Sequence, residues 1–169
     1  NSCTVGTFGD AAGLPECKQW DPGKYQDELG QRECKECRAG THMDQKNATG
    51  CTPCTIGKFA YTSGVRLCTD CPAGTFQSSE GQPNCTLAPL GSHVPNAGAD
   101  SPTLCKKGEF STEVGQNACQ NCMYDPRGAA YTTSATGATR CDACIAAYYL
   151  VPADGRHTQD RCVACQEGM

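Results

Sequence analysis

The sequence predicts a small disulfide-rich fold, an elongated tandem array of short β-hairpin-like loops with little helix and no large hydrophobic core. Three observations carry that expectation. The chain has 169 residues and 16 cysteines, a density that belongs to disulfide scaffolds. Val, Ile, Leu and Phe together number 19, about 11% of the chain, too few to offset the entropy of ordering it by burial alone. The cysteines, glycines and rings also recur with a fixed period.

That period is the seventeen-place step from Cys17 to Cys34. Cys17, Cys34, Cys51, Cys68, Cys85 and Cys119 lie on one grid, with Pro102 in its vacant place. A second grid, three places later, holds Cys3, Cys37, Cys54, Cys71, Cys105 and Cys122, with Trp20 and Ala88 in its vacant places. Three places after each second-grid position stands a glycine, from Gly6 and Gly23 to Gly108, and five places after it a ring: Phe8, Tyr25, His42, Phe59, Phe76, His93 or Phe110. Ten places after it stands Gly13, Gly30, Asn47, Gly64, Gly81, Gly98 or Gly115. Asn is among the non-glycine residues most tolerant of positive φ, so this position reads as a left-handed turn.

The organisation follows. Residues 3–121 form seven repeats of this length, residues 122–164 two longer variants with rings at Tyr124, Tyr131, Tyr148 and Tyr149, and residues 165–169 the start of a truncated further repeat. The segment is therefore expected to belong to a longer array, with any signal or anchor outside it. Its longest apolar stretches are too short and polar to span a bilayer.

The defects in the ladder indicate which cysteines pair. Ala88 and Pro102 are the two ends of one loop, and both cysteines are missing together while Cys85 and Cys105 remain on either side. Joint absence is what a lost disulfide leaves. Each loop is thus expected to close on itself: Cys3 with Cys17, Cys37 with Cys51, Cys54 with Cys68, Cys71 with Cys85, Cys105 with Cys119, Cys122 with Cys141, and Cys144 with Cys162. A closed loop of about 15 residues contributes about 3 kcal/mol in the chain-entropy model. Cys34, whose partner position is Trp20, and Cys165 are left over. Two readings stand: irregular or later partners within the chain, or disulfides to neighbouring chains.

Within a loop the expected path is a ring-bearing strand, a Gly or Asn turn, and a return strand leading to the closing cysteine. The ring is expected to cover the disulfide of its own or the adjacent repeat. Each repeat is expected to touch only its immediate neighbours, as in other linear arrays.

Stretches such as Cys71-Pro-Ala-Gly-Thr-Phe76 with Gly81 and Cys85, and Cys105-Lys-Lys-Gly-Glu-Phe110, resemble the ephrin-receptor-like cysteine-rich repeats. Those are similar in build to tumour-necrosis-factor-receptor cysteine-rich modules. The C-x2-C tandem also resembles the immobilisation-type surface antigens of ciliates. The resemblance implies an extracellular or cell-surface setting and a repeat used for receptors, coats and spacers alike. The chain departs from the pattern at Trp20, at Ala88 and Pro102, and in the two long repeats.

Composition weighs against several other functions. A net charge of −4 with scattered Lys and Arg leaves no nucleic-acid footprint. Zinc is the main chemical rival, because C-x2-C-x13-C-x2-C is a four-thiolate spacing. Loss of such sites would remove whole ligand sets, yet Cys17, Cys85 and Cys105 stand without their C-x2-C partners. No metal and no cofactor is expected. Of the three histidines, His42 and His93 occupy the ring position, where an imidazole reads as a small substitute aromatic, and His157 lies outside it. No catalytic residue is assigned, and the chain is expected not to be an enzyme. Asn47-Ala-Thr49 and Asn84-Cys-Thr86 are N-glycosylation sequons, and the Ser and Thr between Thr132 and Thr139 leave room for O-glycans. Trp20 is expected to pack where a disulfide is absent, with a binding hot spot as the alternative.

Two functions remain. The first is a non-catalytic extracellular structural or coat protein, a rigid glycosylated rod that assembles with copies of itself into fibres. The second is a receptor or adhesion ectodomain that binds another extracellular protein along the rod, with Tyr124 to Tyr149 as the place to look.

Overall fold

The computed structural model describes residues 4–8, 17–122, 131–145, 148–153 and 161–165. Among them there is no helix, and 18 short strands pair antiparallel into nine two-stranded sheets, one for each repeat. Repeats 1 to 9 are counted here from Cys3, Trp20, Cys37, Cys54, Cys71, Ala88, Cys105, Cys122 and Cys144.

Local chemistry builds each hairpin. In repeat 4, Thr55-Ile56-Gly57 turns the chain, Lys58 N donates to Thr55 O at 3.1 Å, and Gly57 takes φ +75°. Positive φ at the third position of a turn is what a type II turn requires, and glycine supplies it without strain. Lys58–Phe59 then pairs with Thr69–Asp70, and the Lys58 ammonium meets the Asp70 carboxylate across the strands. Where the residue after that glycine carries a hydroxyl, it braces the same turn: Thr41 Oγ1 and Ser92 Oγ each donate to the carbonyl three residues back, at 2.7 Å.

The return strand lies elsewhere than the sequence suggests. In repeats 1 to 7 it is the pair of residues that follows the closing position, as in Thr52–Pro53, Thr69–Asp70 and, after Pro102, Thr103–Leu104. The residues between ring and closing cysteine are consumed by two successive turns. The left-handed position falls in the first of these, with Asn47 at φ 60° and Gly64 at φ 73°.

Consecutive repeats are joined backbone to backbone. Between repeats 4 and 5, Gly57 N donates to Gln77 O (2.8 Å), Ala60 N to Gln82 O (3.4 Å), Cys71 N to Gly57 O (2.9 Å) and Gly81 N to Cys54 O (2.8 Å). The same four bonds join repeats 6 and 7: Gly91 N to Ser111 O, Val94 N to Gln116 O, Cys105 N to Gly91 O and Gly115 N to Ala88 O, at 2.8 to 3.0 Å.

Contacts also reach two repeats along, which corrects the expectation that each repeat meets only its neighbours. A Cβ placed on Gly23, Gly40 or Gly57 would lie 2.0 to 2.2 Å from the carbonyl oxygen of Gly64, Gly81 or Gly98, and one on Gly74 would lie 2.1 Å from that of Gly115. The backbones pass too closely for any side chain. The chain divides into two compact bodies interleaved in sequence, one drawn from Asn1–Pro72, Phe76–Thr86 and Ala97–Ser101, the other from Ala73–Thr75, Leu87–Asn96 and Pro102–Met169. Each contact named above lies within one body.

The buried column is narrow. Cys37, Cys54, Cys71 and Cys105 are fully buried, as is Ala88 in the same place of the repeat that lacks a disulfide. Beside them lies the residue after the ring: Gln26, Ala60, Gln77, Val94 and Ser111 are all buried.

This packing separates two kinds of glycine. Gly57→Ala introduces a Cβ against a fixed carbonyl at a positive-φ position and should cost more than about 2 kcal/mol in urea unfolding, whereas Gly64→Asn, which copies Asn47 in a place with no neighbour nearer than 3.5 Å, should cost well under half of that. In repeat 6, Ala88→Cys combined with Pro102→Cys should form a new disulfide, seen as the loss of two hydrogens in intact mass, and stabilise by about 3 kcal/mol.

Candidate functional site

The chemically distinctive feature is the ladder of loop disulfides and the rings laid against it. Cys37–Cys51, Cys54–Cys68, Cys71–Cys85, Cys105–Cys119, Cys122–Cys141 and Cys144–Cys162 are bonded, with Cα separations of 5.6 to 5.9 Å. Cys17 is also disulfide-bonded, and Cys3 lies outside the described residues. Where both members of a C-x2-C pair are bonded they belong to different bonds, Cys51 to one and Cys54 to the next.

Each ring with a defined sulfur or ring contact covers the next repeat rather than its own. His42 Nδ1 of repeat 3 lies 3.3 Å from Cys68 Sγ of repeat 4, and His93 Nδ1 of repeat 6 lies 3.1 Å from Cys119 Sγ of repeat 7. His42 Nδ1 is also 3.1 Å from Thr52 O; a carbonyl only accepts, so this contact is a hydrogen bond in the tautomer that carries the proton on Nδ1. Phe8 of repeat 1 stacks on Trp20 of repeat 2, with centroids 3.8 Å apart and an interplanar angle of 16°.

Trp20 thus fills the space of the absent disulfide. It is 8% exposed and its Nε1 has no hydrogen-bond partner among the described residues, so it presents almost no surface to a binding protein. Cys34, at the other end of that loop, is a free, half-buried thiol. Burial pushes its pKa up, against a smaller lowering by the nearby Lys24 ammonium, and a raised pKa lowers thiolate reactivity. Cys165 is free and exposed.

The sequon residues Asn47, Thr49, Asn84 and Thr86 lie at turns and strand edges of the surface, with Asn84 and Thr86 flanking the closing cysteine of repeat 5. Tyr131 is half-buried and Tyr149 is 53% exposed, while Tyr124 and His157 lie outside the described residues. The exposed surface carries apolar side chains such as Leu67 and Leu104 beside polar and charged groups, among them Lys35 with Asp27 (2.7 Å) and Glu28 (3.1 Å). The hydrogen bond from Lys35 holds the Asp27 carboxyl below its usual range.

One functional position is missed by reading the repeat. The residue after the ring is Gln26, Met43, Ala60, Gln77, Val94 and Ser111 in repeats 2 to 7, too varied to register as a column. Its glutamines act as internal braces. Gln26 Nε2 donates to Glu33 O at 2.6 Å and its Oε1 accepts from Glu28 N at 3.0 Å; Gln77 does the same with Asn84 O at 2.7 Å and Ser79 N at 3.0 Å. The available signal is a longer period of three repeats. The step from Gln26 to Gln77 also relates His42 to His93, and Phe8 to Phe59 and Phe110.

A ladder of small hairpins, most of them closed by a disulfide and with few large apolar side chains buried among the described residues, defines a cysteine-rich repeat module. The family described as tyrosine-protein kinase ephrin type A/B receptor-like matches residues 6–54 and again residues 57–105, so the chain belongs to that family. The two matches are themselves displaced by three repeats, one starting at Gly6 and the other at Gly57. No curated protein matches the chain.

Gln77→Leu fills the same volume but leaves Asn84 O and Ser79 N without their buried partner, and should destabilise by about 1–3 kcal/mol, read as a lower urea midpoint with an unchanged disulfide count.

Proposed function

We propose that the chain is a non-catalytic extracellular spacer or coat module, a glycosylated repeat rod whose interior is used for cohesion and whose exterior sets distance from a surface. Disulfides of this number and the ephrin-receptor-like repeat type are typical of extracellular domains. The observation that carries the reading is the uniformity of the repeat. The inward amides satisfy their own turns, as those of Gln26 and Gln77 do, and return strands such as Lys35–Glu36, Thr69–Asp70 and Gln120–Asn121 present exposed polar residues.

Asn47 and Asn84 are the proposed N-glycan carriers, supported by the surface position of both sequons. Self-association into fibres is proposed through Cys165, the exposed thiol, rather than through the half-buried Cys34.

A second reading, a receptor or adhesion ectodomain that binds a protein, is favoured by a set of exposed apolar side chains in one compact body: Leu87 (53%), Leu90 (51%), Leu104 (58%) and Val114 (52%). Exposed apolar groups on a small module are candidate places for partners to dock.

Secretion from a eukaryotic host followed by intact mass, with and without peptide N-glycosidase and reductant, tests the first reading. Loss of hexose-bearing mass at peptides containing Asn47 and Asn84, and covalent multimers that collapse to monomer on reduction and are absent in Cys165→Ser, are the expected results. An unglycosylated monomer that saturably binds another extracellular protein, with Leu87→Ser and Leu104→Ser weakening it, moves the assignment to the second.

A further inference from the structure

Two loop disulfides carry an imidazole where others in the ladder have a phenyl or phenol ring in the repeat before. In the first, the ligand atoms of His42, Cys54 and Cys68 all lie within 4.8 Å of one another; in the second, those of His93, Cys105 and Cys119 do. One set belongs to each compact body. The same arrangement is built twice, three repeats apart, while Tyr25, Phe59, Phe76 and Phe110 occupy the corresponding ring position elsewhere.

Two sulfurs and an imidazole nitrogen are the ligand set of a zinc site. With Zn–S near about 2.3 Å and Zn–N near about 2.0–2.1 Å, a tetrahedral ion holds such atoms about 3.6–3.8 Å apart. A disulfide holds its sulfurs too close for this and has no thiolate to offer; two thiols at the same Cα positions are free to open to that spacing. The hairpin itself does not require the bond. Repeat 6, with Ala88 and Pro102 in place of the cysteines, keeps its strand pairing of Ser92 with Leu104 and His93 with Thr103, and keeps the four backbone bonds to repeat 7.

We propose that reduction of Cys54–Cys68 and Cys105–Cys119 turns each loop, with His42 or His93 as third ligand, into a Cys2His site for Zn2+. The two disulfides are thus redox-gated metal sites, distinct from any four-thiolate grouping of the C-x2-C pairs. Two electrons enter each bond. From a phosphine, water supplies the two protons for the thiols and its oxygen leaves as phosphine oxide; from small thiols, the donors end as their own disulfide. Zn2+ then displaces both thiol protons and takes the Nδ1 lone pair, the ring proton moving to Nε2, and water fills the fourth position. For His42 this exchange gives up the contact with Thr52 O.

The test uses the full chain, reduced anaerobically with a phosphine, then alkylated with iodoacetamide with and without Zn2+ and mapped by peptide mass. Zinc should protect Cys54, Cys68, Cys105 and Cys119 while Cys37, Cys51, Cys71 and Cys85 alkylate as before, and native mass spectrometry should show two bound ions, one for each set. His42→Phe and His93→Phe restore the commoner ring, so the oxidised variants should retain the parental disulfide count. Each should lose the protection at its own cysteine pair and one ion. Equal protection of all loop cysteines, protection that persists in the His→Phe variants, or no retained zinc overturns the proposal.

Discussion

The rest of the structure depends on the close passage of one backbone over another at the glycine that ends the first turn of repeats 1 to 6. There a glycine with positive φ places its Cα so near a carbonyl two repeats along that a Cβ would sit about 2 Å from the oxygen. The same glycine donates its N–H to the next repeat and accepts from the N–H at the start of that repeat. A chain with so few large apolar residues has little side-chain burial available for cohesion, so main-chain groups must approach one another directly. Only glycine permits it, and the spacing of those glycines sets the period of everything else.

The disulfides, by contrast, are reinforcement rather than the frame. Repeat 2 replaces its bond with an indole stacked on Phe8, and repeat 6 has a buried Ala88 and a half-buried Pro102 in place of the two cysteines. Both keep the hairpin: Lys24 still pairs with Glu36, and Ser92 with Leu104. Cross-links of this kind act mainly by limiting the unfolded chain, which is why single rungs can be lost while the native geometry is retained. The consequence for function is that the ladder tolerates local variation at the cysteines. Chemistry placed on a rung, such as an imidazole against sulfur, can vary without unmaking the array.

Much of this was legible in the sequence, and the parts that were not share a cause. Cysteine spacing and the joint vacancy at Ala88 and Pro102 indicate loops closed on themselves, and Asn47 among glycines marks a left-handed turn, because each depends on a property a single residue type carries. The position of the return strand does not. Lys35–Glu36, Thr52–Pro53 and Gln120–Asn121 are exposed strand residues with no common chemistry, since what they contribute is backbone. The buried position after the ring is obscured for a related reason: Ala60 and Val94 fill space there, while Gln26 and Gln77 return their amides to their own turns. A site that accepts apolar atoms or a self-satisfied amide leaves no fixed residue type to read. The reach of contacts to the second repeat along is invisible in a single period, because the sequence records that a glycine is needed without recording what it faces.

That reach gives a physical reason for the residues that recur at three repeats and not at one, Gln26 with Gln77 and His42 with His93. A glycine in one repeat meets main-chain atoms of the next repeat and of the one after it, so three consecutive repeats are the smallest block that contains every type of contact in the array. A copy made with that length keeps each residue in phase with the neighbours it was matched to. Gln77 then finds the turn that Gln26 finds, and His93 finds the sulfur that His42 finds. A copy displaced by a single repeat would set an imidazole over the place that Phe59 occupies, and a glutamine where Val94 fills the interior. The two family matches are displaced by the same three repeats, so the family pattern and the recurrence of Gln26 at Gln77 and of His42 at His93 share one step.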